Sequence, residues 1–400
     1  MQALCIYAGP LARRHIEKNG LQPGDVGTIP AAAGGPKGLI LGPLDAYVFG
    51  HWLAQTHQEI HLVGASIGAW RMATACLDGG VADVAAFGRL AHDYIHQHYD
   101  LQPGQTRPTA HHISERFGQG LQRFYAGRVA EVLNHPRFRL HIITSRGRHI
   151  LRTEHALRSR LGYLGAFLTN TVHRKSMGAW LERVVFSSQK AALPFTTADY
   201  RTRQVALTPA NFTDALQASC SIPFLLNSVR NIAGAPPGAY WDGGVTDYHL
   251  HLNYTQFGKD NNLIANYSSR TLEKSTFDPL RQPEPAIGAA TAATRATAAL
   301  LVFYPHFQKA VVPGWLDKGL KWRHKATGAL DSMVLLAPHP DWVKTLPNGK
   351  LPDRDDFTHY GSDLAGRVKA WSAAASASQQ LADEFAAWLH RPDMARVLPL

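Results

Sequence analysis

His61-Leu62-Val63-Gly64-Ala65-Ser66-Ile67-Gly68-Ala69-Trp70-Arg71 is the stretch that decides how this chain is read. Its central five residues fit a G-x-S-x-G turn, in which a strand bends sharply into a helix and pushes a serine hydroxyl outward. The turn brings backbone against backbone, and glycine has no Cβ to collide there. A short buried strand from Glu59 to Val63 leads in, and residues 69–77 predict the helix that follows. An ordinary solvated turn would also accept this pentapeptide. The strand before it and the helix after it are what favour a nucleophile.

Working outward, the chain continues the same rhythm. Residues 11–21 predict a short basic helix, and Val26-Gly27-Thr28-Ile29-Pro30 a strand that runs into Ala33-Gly34-Gly35-Pro36-Lys37-Gly38. A helix is expected over 39–55, with Pro43 near its first turn, where proline is tolerated. Strand, glycine turn, helix, strand, turn, helix is the pattern of a mainly parallel sheet with crossover helices. Residues 81–133 predict a helical insertion, broken at Gln102-Pro103-Gly104. Strands are expected at 138–144, 184–186, 204–207, 262–267 and 333–337, so that the sheet continues beyond a third glycine turn at Asp242-Gly243-Gly244. Residues 213–220 predict a helix stopped by Pro223, and 363–390 one long C-terminal helix. The Ala/Thr-rich stretch 285–302 reads as a packed helix or a cover. The expected fold is a three-layer α/β/α sandwich, with a catalytic domain over 1–345, its motifs within about 26–250, and a C-terminal helical region over 346–400.

Composition narrows the function classes. In 400 residues, 45% are hydrophobic and 18% charged, which excludes a disordered chain. The 41 Lys+Arg against 30 Asp+Glu leave a net charge of +11, which favours an anionic partner. Three cysteines, Cys5, Cys76 and Cys220, form no framework and suit a reducing compartment. No secretory leader and no long uncharged apolar span is evident. The expectation is a soluble cytoplasmic protein, able to meet a membrane peripherally.

A serine hydroxyl is a poor nucleophile until a base takes its proton, and the tetrahedral intermediate needs donors for its oxyanion. Gly34 and Gly35 can offer bare N–H groups where a helix begins, with Lys37 adding a cation. Neither phosphate-loop pattern is present. For the base, 21 histidines make a Ser-His-Asp triad arithmetically easy. Asp242 on its glycine turn is the other candidate, a carboxylate that burial would make a stronger base.

The three turns, in this order, resemble the patatin-like phospholipase family. Ala215-Leu216-Gln217-Ala218-Ser219-Cys220-Ser221-Ile222-Pro223-Phe224 is similar to the segment before that family's aspartate turn. The resemblance implies a Ser-Asp dyad: Ser66 as nucleophile, Asp242 as base, and the N–H groups of Gly34, Gly35 and Gly38 as the oxyanion hole. It implies hydrolysis of acyl esters in phospholipids or other acyl lipids, without metal or other cofactor. Two positions depart from the family's pattern. Ala33 stands where a third glycine is usual, and Val245-Thr246-Asp247-Tyr248-His249 replaces the frequent Asn-x-Pro exit. An esterase or thioesterase with a Ser-His-Asp triad and a non-catalytic lipid-binding module are the rival readings.

Three other features carry less. Of His92, His96 and His98, two lie four apart on one predicted helix face, but there is no H-E-x-x-H and no clear third metal ligand. Arg146-Gly147-Arg148-His149 with Arg152 would suit lipid head groups or a solvated loop. Nucleic acid is not an expected partner, because no stacking module accompanies the charge. Residues 315–325, with Trp315, Trp322 and five cationic or histidine side chains, read either as a membrane-interfacial segment or as a surface helix with its tryptophans turned inward.

Overall fold

The computed structural model describes residues 1–77, 84–100, 105, 107–254 and 300–400. The strand expected at 262–267, the break at 102–104 and the Ala/Thr-rich stretch up to residue 299 lie outside the described residues.

Among the described residues, eleven strands form one sheet: β1 (Leu4–Ala8), β2 (Val26–Ala31), β3 (Ile60–Ala65), β4 (Phe138–Gly147), β5 (Leu181–Ser187), β6 (Thr202–Ala206), β7 (Val229–Arg230), β8 (Ala239–Asp242), β9 (Leu301–Pro305), β10 (Met333–Pro338) and β11 (Val397–Pro399). Their order is β11-β1-β10-β9-β2-β3-β4-β5-β6, with β8 on β4 and β7 on β8. The middle, from β10 through β9, β2 and β3 to β4, is parallel. Every residue of β2, β3, β9 and β10 is buried, as a parallel strand covered on both faces requires. Helices cover both faces, so the sheet is the middle layer of an α/β/α sandwich. β1 and β9 give no clear signal in the sequence; they are short apolar runs without alternation.

The helices that matter for the site are α1 (Pro10–Asn19), α2 (Gly42–Tyr47), α3 (Ile67–Ala75), α4 (Val84–Ile95), α5 (Ala110–Phe124), α6 (Val129–Leu133), α7 (Ala156–Val172) and α8 (Phe212–Cys220). The helix expected over 39–55 starts earlier and changes winding. It is 3-10 over Gly35–Leu41, α over α2, a π turn over Val48–Trp52 and 3-10 again over Leu53–Gln55.

The single helix expected over 363–390 is two helices, Leu364–Ala377 and Gln379–His390, parted at Ser378. The buried Ser378 hydroxyl donates to the Ala375 carbonyl at 2.6 Å and so competes with the helical ladder. The two halves bury different surfaces. The first sets Ala370 and Trp371 against Leu39 and Ile95, and the second sends Phe385 and Trp388 into the main core. Phe385 lies 5.4 Å from Trp52 and 5.5 Å from Phe303, centroid to centroid. Each such ring, fully buried, contributes about 1.5–3 kcal/mol. The chain then returns to the sheet, where β11 pairs in parallel with β1.

α3 crosses β2 very closely. A Cβ on Gly68 would lie 1.9 Å from the Ala31 carbonyl oxygen, and one on Gly64 2.4 Å from the Ala69 Cα. Both obstacles are backbone, so neither can swing away. Gly68→Ala is therefore expected to lower the unfolding free energy by about 2–3 kcal/mol. Urea denaturation followed by circular dichroism measures this; an unchanged midpoint would show that α3 can move off β2.

Candidate active site

Ser66 occupies the tip of the turn with φ of 57° and ψ of −130°, in the left-handed region that few non-glycine residues adopt. It is the N-cap of α3, so its hydroxyl stands at the positive end of a helix whose residues are all buried. The Ser66 N–H donates to the Ser219 hydroxyl at 2.9 Å, and that hydroxyl donates to the Ile143 carbonyl at 2.7 Å. Arg71, one turn further along α3, makes a buried two-point ion pair with Asp45 of α2, at 2.6 and 2.7 Å. Sequence reading missed this brace: nothing in the motif marks residue 45.

The sheet register explains how the second turn reaches the first. β3 follows one edge of β4 until Ala65 pairs with Ile143. β5 occupies the other edge of β4 throughout, from His141 to Gly147. β8 therefore takes over the edge that β3 has left, antiparallel, with Asp242 opposite Thr144. The residue after Ala65 is Ser66, and the residue after Ile143 is Thr144. The two turns thus face one another where one strand hands over to another.

Glycine is required on both sides of this meeting. A Cβ on Gly243 would lie 2.1 Å from the Ile143 carbonyl oxygen, and one on Gly244 2.5 Å from the Ala33 methyl. The segment 215–224 clamps both turns. Ser219 of α8 holds the backbone of Ser66, and the Ser221 carbonyl accepts the Asp242 N–H at 2.8 Å.

The Asp242 carboxyl is buried, and burial pushes its pKa up to about 6. The nearby Ser66 side chain, the N–H of Gly244 at 2.7 Å, and the charges of Arg354 and Lys318 oppose that rise. Among the described residues, no histidine hydrogen-bonds to Ser66 or Asp242. His249, next to the turn, instead meets the Ala310 carbonyl and the Val312 N–H.

Gly34 and Gly35 open the 3-10 helix Gly35–Leu41, whose first N–H groups have no helical partner and no side-chain cap. The Phe307 ring closes on Gly34, where a Cβ would meet it at 2.5 Å. The Ala33 N–H is taken by the Tyr248 carbonyl at 2.9 Å, which ties this loop to the chain leaving the aspartate turn. Ala33 is thus part of the cleft wall beside Asp242, Gly244 and Tyr248. Gly38 lies against Ile67 and Arg71 at the start of α3. The Lys37 ammonium is 5.7 Å from the centroid of the Phe307 ring, and burial lowers its pKa.

The unusual exit from the aspartate turn is anchored by charge. Asp247 is buried and paired twice with Arg183, at 2.7 and 2.6 Å, and Arg174 reaches both the Thr246 carbonyl and Asp317. The sequence offered no sign of Arg354, which lines the cleft, and placed Lys318 only in the cationic stretch 315–325; its ammonium lies 4.2 Å from the centroid of the Tyr248 ring. Burial, with Arg354 and Lys37 nearby, pulls Lys318 down to about 8. Like charges gathered at an apolar cleft suit an anion.

The remaining sequence features fall elsewhere. Arg146 lies in β4 and pairs with Glu182, and Arg148 donates to the Gly178 carbonyl, so both serve the structure. The His92 and His96 rings stack with centroids 4.2 Å apart. Residues 315–325 are not one helix but two short 3-10 turns, Trp315–Asp317 and Lys321–His324. Gly319 and the buried Asp317, which draws in Asn170, Arg174 and Arg323, break the run. Trp315 packs inward and Trp322 faces out. Among the described residues, no helix is long and apolar enough to cross a membrane.

Because the Ser66 side chain favours the ionised carboxyl, its removal should raise the Asp242 pKa further. The Asp242 carboxyl carbon, followed by NMR across pH, is expected to titrate near 6 in the native protein and higher in Ser66→Ala. An equal or lower midpoint in the variant would separate the two side chains.

No curated protein compared with the chain matches it. Residues 61–249 match the family model described as patatin-like phospholipase, a span that opens just before the serine turn and closes just after the aspartate turn and leaves the Gly34–Gly38 loop outside. With these two turns meeting at the edge of β4 inside a mainly parallel sandwich, the segment that bears both is similar to the patatin-like phospholipase family.

Proposed function

We propose that this protein is a serine lipid acyl hydrolase that works through a Ser66–Asp242 dyad. The observation that carries the reading is the register on the edge of β4, where β3 ends one residue before Ser66 and β8 sets Asp242 opposite Thr144, with the Asp242 carboxyl buried and its pKa raised to about 6. An aspartate near 6 is still largely ionised at neutral pH, yet it is a better proton acceptor than one in water. Ser66 Oγ attacks the acyl carbonyl as its proton passes to Asp242. The oxyanion is received by the N–H groups of Gly34, Gly35 and Gly38 and by the positive end of α3. Collapse breaks the ester C–O bond, and the Asp242 proton leaves with the alcohol. Water then attacks the acyl-serine with Asp242 again taking the proton; collapse breaks the acyl C–Oγ bond, the proton returns to Ser66 and the fatty acid leaves.

The left-handed backbone of Ser66 supports this role, since strain of this kind is kept where the surroundings over-determine it. Arg354 in the cleft wall, with Lys318 beyond Tyr248, supports a substrate with an anionic head group, such as a phospholipid. Lys37 would add to the same field from behind Phe307.

Ser66→Ala is expected to lower kcat on a soluble short-chain ester by about 1,000-fold or more with the thermal midpoint unchanged, and a fluorophosphonate should label the native protein at Ser66 and not the variant. Asp242→Asn is expected to lose most of the activity. Full turnover in either variant would end the dyad reading.

The base must be ionised, so kcat/KM for the soluble ester should fall as pH drops through about 6. A profile flat from pH 8 down to pH ~4.5, well below that value, would assign proton transfer to another group.

A further inference from the structure

α7 is built inside out. Its buried positions are Ser159, Gly162, Tyr163, Ala166 and Asn170, mostly small or polar. Its exposed positions carry the bulk: Leu157 is 62% exposed, Leu161 54%, Leu164 53%, Leu168 55% and Val172 84%. These recur at helical spacing and form one stripe along the outer face. The inward arrangement is enforced by close approach. A Cβ on Gly162 would lie 2.5 Å from the Leu151 side chain, and one on Gly165 2.6 Å from the Trp180 ring. Rotating the helix to bury its leucines would drive them into these neighbours.

The stripe leads to the cleft. Tyr163, on the inner face, lies 5.5 Å from the Phe224 ring and 6.5 Å from that of Trp241, the neighbour of Asp242. Phe224 and Leu225 are themselves largely exposed and directly follow Ile222 and Pro223, which line the cleft. At the other end, Arg323 donates to the Thr171 carbonyl at 3.2 Å and so fastens the exposed Trp322 beside the end of α7. A contiguous apolar surface of this kind marks a place where something apolar docks.

The charges beside it are of one sign. From Ala156 to Lys175 the chain has no acidic residue, while Arg158, Arg160 and Lys175 are exposed. Two copies of the chain meeting symmetrically on this face would bring those arginines toward their own mates, which opposes a homodimer. An anionic lipid surface accepts both the leucines and the arginines, and it presents lipid at the mouth of the cleft.

We propose that the outer face of α7, extended by Phe224, Leu225 and Trp322, docks this protein on anionic bilayers and thereby sets the cleft against the lipid surface. The choice of occupant rests on the lipid-hydrolase reading, but the test does not depend on turnover. Cys5, Cys76 and Cys220 are all buried, so a cysteine introduced by Leu164→Cys can be labelled selectively with an environment-sensitive dye. In a Ser66→Ala background, the dye emission should shift to the blue and brighten on vesicles containing phosphatidylglycerol, and much less on pure phosphatidylcholine. Replacing Leu161, Leu164 and Leu168 with Gln keeps the charge, leaves the thermal midpoint unchanged and should weaken vesicle partitioning at least about tenfold. Arg158→Gln with Arg160→Gln should weaken it and flatten its dependence on salt. Vesicle binding that leaves the dye unmoved, triple-variant partitioning equal to that of its parent, or a dimer in sedimentation equilibrium that only the triple variant dissolves would each overturn the proposal. Native protein that docks as described but hydrolyses no ester would overturn the dyad reading and leave this one standing.

Discussion

The edge of β4 is the constraint on which the site depends. One strand edge can satisfy one partner at a time, and here it is divided between β3 up to Ile143 and β8 from Thr144 onward. A hydrogen-bonded ladder leaves no freedom in register, so the ends of the two strands are fixed relative to each other. Ser66 and Asp242 lie at those ends. Their meeting is therefore not a matter of loop conformation but a consequence of the sheet.

The division is possible only because neither turn carries a Cβ at the points of contact. Gly68 lies on the Ala31 carbonyl, Gly243 on the Ile143 carbonyl, and Gly244 on the Ala33 methyl. What the glycines permit, the polar groups hold in place. Ser219 grips the serine turn, Ser221 grips the aspartate turn, and the Ala33–Tyr248 backbone bond draws the glycine loop over both. The buried pairs Asp45–Arg71 and Asp247–Arg183 then lock the helix after the serine and the chain after the aspartate. Breaking one such buried pair by removing a partner costs about 3–5 kcal/mol, so the frame around the cleft is stiff. A stiff frame allows a carboxyl to stay dry and a serine to stay in a left-handed backbone, both of which an adaptable site would relax. The same economy of space explains α7. Its inner face is pared down to Gly162 and Ala166 so that the helix can lie close to the site, and the bulky side chains are left outside.

Much of this was legible in advance. The strands at β2, β3, β4 and β10 and the helices α1, α3 and α8 follow from local hydrophobic pattern, and local pattern is what a sequence carries most directly. Where reading failed, the cause was distant. The break at Ser378 arises because the two halves of the C-terminal hairpin bury Trp371 and Phe385 in different places, which no helical period records. The mixed winding of residues 35–55 and the divided segment 315–325 likewise answer to packing and to the buried Asp317 rather than to propensity.

The amino-acid order by itself determined which residues stand on glycine turns and that a parallel sheet would carry them, because turn chemistry and hydrophobic period are properties of neighbours along the chain. The tertiary structure alone decided that residues 66 and 242 share a strand edge, that Arg354 lines the cleft with Lys318 against the Tyr248 ring, and that the leucines of α7 face outward. Each of these depends on register or on close approach between segments far apart in the chain, and such distances are defined only once the sheet has formed.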